Sequence, residues 1–367
     1  MKKNFLWLSV IALVIGLAVF LKLDLTSDGS SNQTKKIHYN ESKIEKSLSM
    51  QMSLNVRQDL NVSQKRKLDS IVEGLSKRHF FGAYIALRND KILFSGSSGV
   101  ANSITANTFK LDSVTIVNVY QEFIDRAVLL GLIQNRSISL TNKIADYLPE
   151  LKGKTELTLR ELLVHGSDLY VKNKYCTRNS VALEHLGFKG ENENNYGSGD
   201  SIIIRELISS FNKSGYRSAV NKFIIDSFGL MNTSFYNEEK QQANKVVGYR
   251  PKKVNGHLTQ GKRIDIDSTE LYQNQLTMSI SDILVTFRRI ASNKLFSKKY
   301  DYLFARSINN IAGITCSREN YLISDNNFGQ YLQLKSNKNG SHITLLFSNC
   351  NNSDVKIGKI NRELYSI

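Results

Sequence analysis

The sequence predicts an α+β domain: an antiparallel sheet built from both chain ends, a mainly helical region inserted into it, and a membrane-spanning helix ahead of it. Three observations carry this. Near the start, Tyr84–Arg88 and Lys91–Ser95 flank the two-residue turn Asn89-Asp90, the signature of a β-hairpin. Near the end, Gly329–Leu334 and His342–Phe347 flank a polar Asn337–Gly340 turn, giving a second hairpin. Between them, apolar residues recur mostly at helical spacing, so the two hairpins share one sheet and the helices form the insert.

Taken in order, residues 1–4 form a short basic tip and residues 5–23 an apolar segment. Its uncharged core, Phe5–Leu21, spans about 26 Å at ~1.5 Å per residue, which reaches a bilayer core once Lys22 snorkels and Leu23 adds to it. A cleaved signal peptide is the competing reading. It is the weaker one, because Ala18-Val19-Phe20-Leu21 offers no small-residue cleavage site. An uncleaved signal anchor puts Lys2 and Lys3 in the cytoplasm and the rest of the chain outside, a single-pass protein with an extracellular C-terminal domain. Residues 24–63, rich in Ser, Asn, Gln and Lys, read as a flexible stalk. The folded domain is then 64–367, opened by a helix with Ser63 as its N-cap and Leu68, Ile71, Val72 and Leu75 on one face. Further helical runs fall at Val114–Gly131, Leu159–Val164, Ile202–Phe211, Ala219–Phe228 and Ile280–Ile290.

Composition narrows the function. The chain has 367 residues, 41% of them hydrophobic, enough for a substantial core. Two prolines and three cysteines exclude collagen-like and disulfide-scaffold classes. Cys176, Cys316 and Cys350 are widely spaced, and the six histidines hold no pair at ligand spacing, so neither a metal nor any other cofactor is implied. The net charge of +16 calls for an anionic partner. Nucleic acid is a poor candidate, since no binding motif is present and the compartment is wrong. Anionic wall polymers or lipid head groups fit better.

One ordered series of segments is more specific. Phe109–Ile116 leads into the long apolar run; Gly131-Leu132-Ile133, Ser139–Leu151 and Leu157–Ser167 follow; then come Phe228–Phe235, Gly248-Tyr249 and Met278–Ile283. This order resembles the serine β-lactamase and penicillin-binding-protein-like superfamily, in its class C β-lactamase, D,D-peptidase and esterase branch, over roughly residues 65–350. The resemblance implies the β-lactamase/transpeptidase-like fold and a serine hydrolase. In that chemistry a serine at a helix start attacks a carbonyl, a lysine one turn later activates it, a Tyr-x-Asn loop completes the proton relay, and a Lys-Thr-Gly or His-x-Gly strand borders the oxyanion site.

On that pattern Ser113 is the candidate nucleophile, but Ile116 stands at the lysine position and cannot accept a proton. Tyr196-Gly197-Ser198 answers to Tyr-x-Asn, with Tyr196 kept and Ser198 in place of asparagine. The third motif is not legible between Ile311 and Leu334. Lys213-Ser214-Gly215 matches its string but lies at a junction of two helices. His165 reads as a structural residue behind the site. The expectation is a membrane-anchored, extracytoplasmic protein with lost or much reduced hydrolase activity that binds a cell-wall component, a peptidoglycan stem or a teichoic acid. The alternative is an active D,D-carboxypeptidase, β-lactamase or D-alanyl teichoic acid esterase using Ser113 with an altered base.

Overall fold

A computed structural model describes residues 60–89, 91–172, 183, 186–188, 195–236, 244–266, 275–292, 295–350 and 355–367. The proposed anchor, nearly all of the proposed stalk, and Cys176 lie outside these residues. Among the described residues no helix is long and apolar enough to cross a membrane.

Six antiparallel strands form the main sheet, in the order β13 (Ile314–Cys316), β14 (Asn320–Asn327), β15 (Gln330–Asn337), β16 (His342–Ser348), β1 (Gly82–Arg88) and β2 (Lys91–Ser98). Both hairpins are present, and the chain ends meet where β1 pairs with β16, Ile85 lying opposite Leu345. Asn89, in the left-handed region at φ 48°, turns the first hairpin, a conformation asparagine tolerates better than most residues. β1 is buried on both faces. Ala83, Ile85 and Leu87 enter the larger core, and Tyr84 and Ala86 enter the smaller one.

The smaller core lies under α1 (Val62–Lys77) and α8 (Ile357–Tyr365), which contribute Leu68, Leu75, Ile360 and Leu364. The cap of α1 is Asn61 rather than Ser63. Its side chain accepts from the Gln64 N–H at 2.9 Å, and the Gln64 side chain accepts from the Asn61 N–H at 3.0 Å. Leu60 is already buried, so the ordered domain reaches back before residue 64.

On the other face lies the helical insert: α2 (Val119–Asn135), α3 (Leu159–His165), α4 (Asp200–Phe211), α5 (Gly215–Val220), α6 (Ile280–Ala291) and α7 (Lys298–Ile308). α5 continues into a π-helical turn, Asn221–Asp226. α2 is buried almost all round and anchors the insert. Phe123 stacks between Tyr120 and Phe287, with ring centres 5.5 and 5.7 Å away, and meets Phe304 edge-on at 5.3 Å.

The apolar run expected to be helical from Val114 divides in two. Val114–Ile116 form β5, which pairs with β12 (Leu276–Ser279), itself paired with β9 (Thr233–Phe235). Two segments of the ordered series are tied together here. Ser279 caps α6, and the Asp282 carboxylate accepts from the Asn232 N–H at 2.8 Å and the Thr233 hydroxyl at 2.7 Å. A third, Gly248, is held by close approach: a Cβ there would lie 1.8 Å from the Phe328 carbonyl oxygen.

Candidate functional site

The N-terminus of α2 is the point on which the sequence resemblance bears. Its N-cap is Asn118, whose own side chain makes no capping bond. The first-turn N–H groups find their acceptor 207 residues away, in Asp325 on β14. The carboxylate accepts from the Asn118 N–H at 2.7 Å and the Tyr120 N–H at 3.3 Å. Asp325 is 5% exposed. Burial pushes its carboxyl pKa up, and the N–H groups at the helix start only partly offset that.

Behind the cap, Gln121 occupies the position one turn into the sequence from Asn118. Its amide oxygen accepts from Gln275 Nε2 at 2.8 Å and from the Leu276 N–H at 2.9 Å. Its amide nitrogen donates to the Tyr216 hydroxyl at 2.9 Å. Tyr216 donates in turn to Asp125 at 2.6 Å, and Arg205 Nε donates to the other Asp125 oxygen at 2.8 Å. Burial, followed by the Asp125 charge, raises the Tyr216 pKa well above the usual phenol range. Burial works against the Arg205 charge, but Asp125 more than restores it. These side chains form one connected series of donors and acceptors.

Ser113 does not stand at this helix start. It lies in the turn before β5, 3% exposed, its hydroxyl accepting from the Lys110 N–H at 2.9 Å and its own N–H donating to the Lys110 carbonyl at 3.2 Å. Ile116 is in β5, opposite Thr277. Counting from the helix the structure shows, the places the resemblance gives to serine and lysine fall on Asn118 and Gln121, and the strand facing them carries Ile323-Ser324-Asp325. The sequence held one signal for this: Asn118 is a preferred N-cap residue inside an otherwise apolar stretch.

Tyr196 and Ser198 lie on β8 (Asn195–Ser198), which pairs with β6 (Leu169–Lys172), Ser198 opposite Tyr170. Asp200, just beyond, joins this strand to the segment after α3, accepting from the Ser167 N–H at 2.8 Å and the Ser167 hydroxyl at 2.5 Å. Gly166, at φ 77°, makes room, since a Cβ there would sit 2.6 Å from that carboxylate. His165 ends α3 and is exposed. Lys213-Ser214-Gly215 forms the junction between α4 and α5, with Ser214 the N-cap of α5.

A terminal-strand sheet, a helical insert and a buried helix start facing a sheet strand define a penicillin-binding-protein-like architecture. The chain belongs to the serine β-lactamase and penicillin-binding-protein-like superfamily. It is 19% identical over 325 residues to a Bacillus subtilis protein named penicillin-binding protein PbpX, covering 83% of this chain and 79% of that one. It is 22% identical over 244 residues to a Staphylococcus aureus protein named teichoic acid D-alanine hydrolase, covering 65% of this chain and 61% of that one. The crystal structure of FmtA from Staphylococcus aureus superposes with a TM-score of 0.66 at 20% identity, over 88% of this chain and 96% of that one. No family model matches the sequence.

Proposed function

We propose that this is a membrane-anchored, extracytoplasmic member of the superfamily with lost or much reduced serine-hydrolase activity, which binds a cell-wall component rather than cleaving it. The Asp325 carboxylate at the head of α2 carries the reading. A helix N-terminus favours negative charge, and here the chain's own carboxyl takes those N–H donors, where a substrate oxygen gathering charge would compete for them. Asn118 offers no hydroxyl, and the Gln121 amide accepts no proton at neutral pH. Loss of such a nucleophile–base pair costs several orders of magnitude in rate.

The partner class rests on charge and on the relatives. The hairpin of β10 (Tyr249–Val254) and β11 (His257–Arg263) exposes Arg250, Lys252 and Lys253, a surface suited to an anionic polymer. One relative bears a teichoic acid in its name and the other penicillin binding. Those names also favour the second reading, an active esterase or peptidase, for which Ser113, buried in the turn before β5, is the serine to test.

The test treats full-length protein with a fluorophosphonate and, separately, a fluorescent penicillin, and reads adducts by intact mass. No adduct on the natural chain is expected, together with salt-sensitive retention on purified teichoic acid or peptidoglycan. An adduct that vanishes in Ser113→Ala would overturn the proposal in favour of the hydrolase.

A further inference from the structure

A second constellation lies away from the α2 start, where α7 packs against the edge of the sheet. There a cavity of about 360 Å³ opens between α6, α7, β13 and β14. Ile290 and Phe304 supply apolar wall; Asp301, Arg306, Arg318 and Lys338 supply charge. Three cations against one carboxyl leave the cavity net positive.

Cys316, half-buried on β13, lines it. Its main chain is fixed from both sides by Asn309 at the end of α7: the Cys316 N–H donates to Asn309 Oδ1 at 2.6 Å, and Asn309 Nδ2 donates to the Cys316 carbonyl at 3.0 Å. The Lys338 ammonium lies 2.6 Å from the Cys316 sulfur and 4.4 Å from the Tyr321 ring centre. Tyr321 stands directly opposite Cys316 across the β13–β14 pair. A sulfur held by its backbone, touched by an ammonium and open to a cavity has the surroundings of a reactive thiol. Both sulfurs also meet a carbonyl, Cys316 that of Ser317 at 3.9 Å and Cys350 that of Thr259 at 3.8 Å, but Cys350 is buried, and the ammonium contact belongs to Cys316.

We propose that this cavity is a thiol-modification site, in which Cys316 exchanges with small carboxylate-bearing disulfides drawn in by Lys338, Arg306 and Arg318. The balance is that of simple exchange. The thiol gives its proton to water, and its sulfur attacks one sulfur of the incoming disulfide. One S–S bond forms as the other breaks, and the second half leaves as a thiolate. The acid groups of the bound half stay beside the cations, and its body lies against Phe304 and Ile290.

The test uses full-length protein and two probes, dithionitrobenzoate, a dianionic aromatic disulfide, and dithiodipyridine, an uncharged one. Thiol release gives the rate, and peptide mass gives the cysteine. Expected is a fast phase on Cys316, absent in Cys316→Ser, slowed about tenfold with the dianionic probe in Lys338→Met, at the low end of electrostatic focusing in a cleft. Arg318→Gln, a change at an exposed side chain, should slow the dianionic probe while leaving the uncharged one unchanged. Thermal melts establish that each variant is folded. If Lys338→Met does not fold, Arg318→Gln decides. The proposal fails if Cys316 reacts no faster than in the denatured chain, or if the folded variants show the natural chain's ratio between the two probes.

Discussion

Asp325 offers the sharpest test of the site geometry, through the contrast between its alanine and asparagine variants. In Asp325→Ala, the N–H groups of Asn118 and Tyr120 lose their acceptor at a place 5% exposed. Each buried donor left unsatisfied costs about 1–3 kcal/mol, and partial entry of water limits the total to about 3–5 kcal/mol. At roughly 2 °C per kcal/mol for a domain this large, the melting temperature should fall roughly 6–10 °C. Asp325→Asn keeps an acceptor oxygen and removes a carboxyl whose pKa burial has already raised, so its cost should be about 1 kcal/mol. Circular-dichroism melts of the two variants beside the natural chain give the comparison. An alanine variant within about 1 kcal/mol of the natural chain, or an asparagine variant as damaged as the alanine, would refute the nonlocal cap.

Asp125→Ala strips Arg205 and Tyr216 of their shared carboxylate and should cost about 3–5 kcal/mol in urea unfolding, against much less for Tyr216→Phe. His342 lies flat on Tyr365, ring centres 4.1 Å apart, and burial, then Arg88 and Lys335, lower its pKa from 6.5 to about 4. The unfolded chain therefore takes up that proton first, and stability should fall as pH drops from 6.5 towards 4, a slope His342→Phe should remove. Asp301 acts in the opposite sense. Burial raises its pKa from 3.8 to about 6, so its contribution is complete below 3.8 and lost as pH rises through about 6. Asp301→Asn should steepen the rise of stability with pH across that window, and an NMR titration should place the carboxyl midpoint near 6.

Both hairpins were legible because turn chemistry and strand pattern are local: Asn89 favours the turn, and flanking residues supply the pairing. α3 was legible for the same reason, with Thr158 and Glu161 forming a capping box at its start. The beginning of α2 was not. Val114 to Val119 is apolar but for Thr115 and Asn118, and a strand buried on both faces cannot be told from a buried helix by periodicity. What separates them is a pairing with β12 and a cap from β14, each more than 150 residues distant. Local pattern alone therefore puts Ser113 at a helix start, and gives no sign of Asn118, Gln121 and Asp325. The buried Tyr216–Asp125–Arg205 network is not legible in the sequence, because its members are scattered and meet only through the packing of α2, α4 and α5.

The pairing of β1 with β16 has a consequence for how the chain reaches its native state. As the polypeptide lengthens, the β1–β2 hairpin exists for some 250 residues of growth with one side unsatisfied, since β16 ends at Ser348. Until then β1, which is apolar on both faces, is an open template for any other strand. Closure of the sheet and capping of α2 by Asp325 both wait for the last fifth of the sequence. The insert therefore has to gather before its frame is complete, which predicts slow, late-committing folding for a domain of this topology.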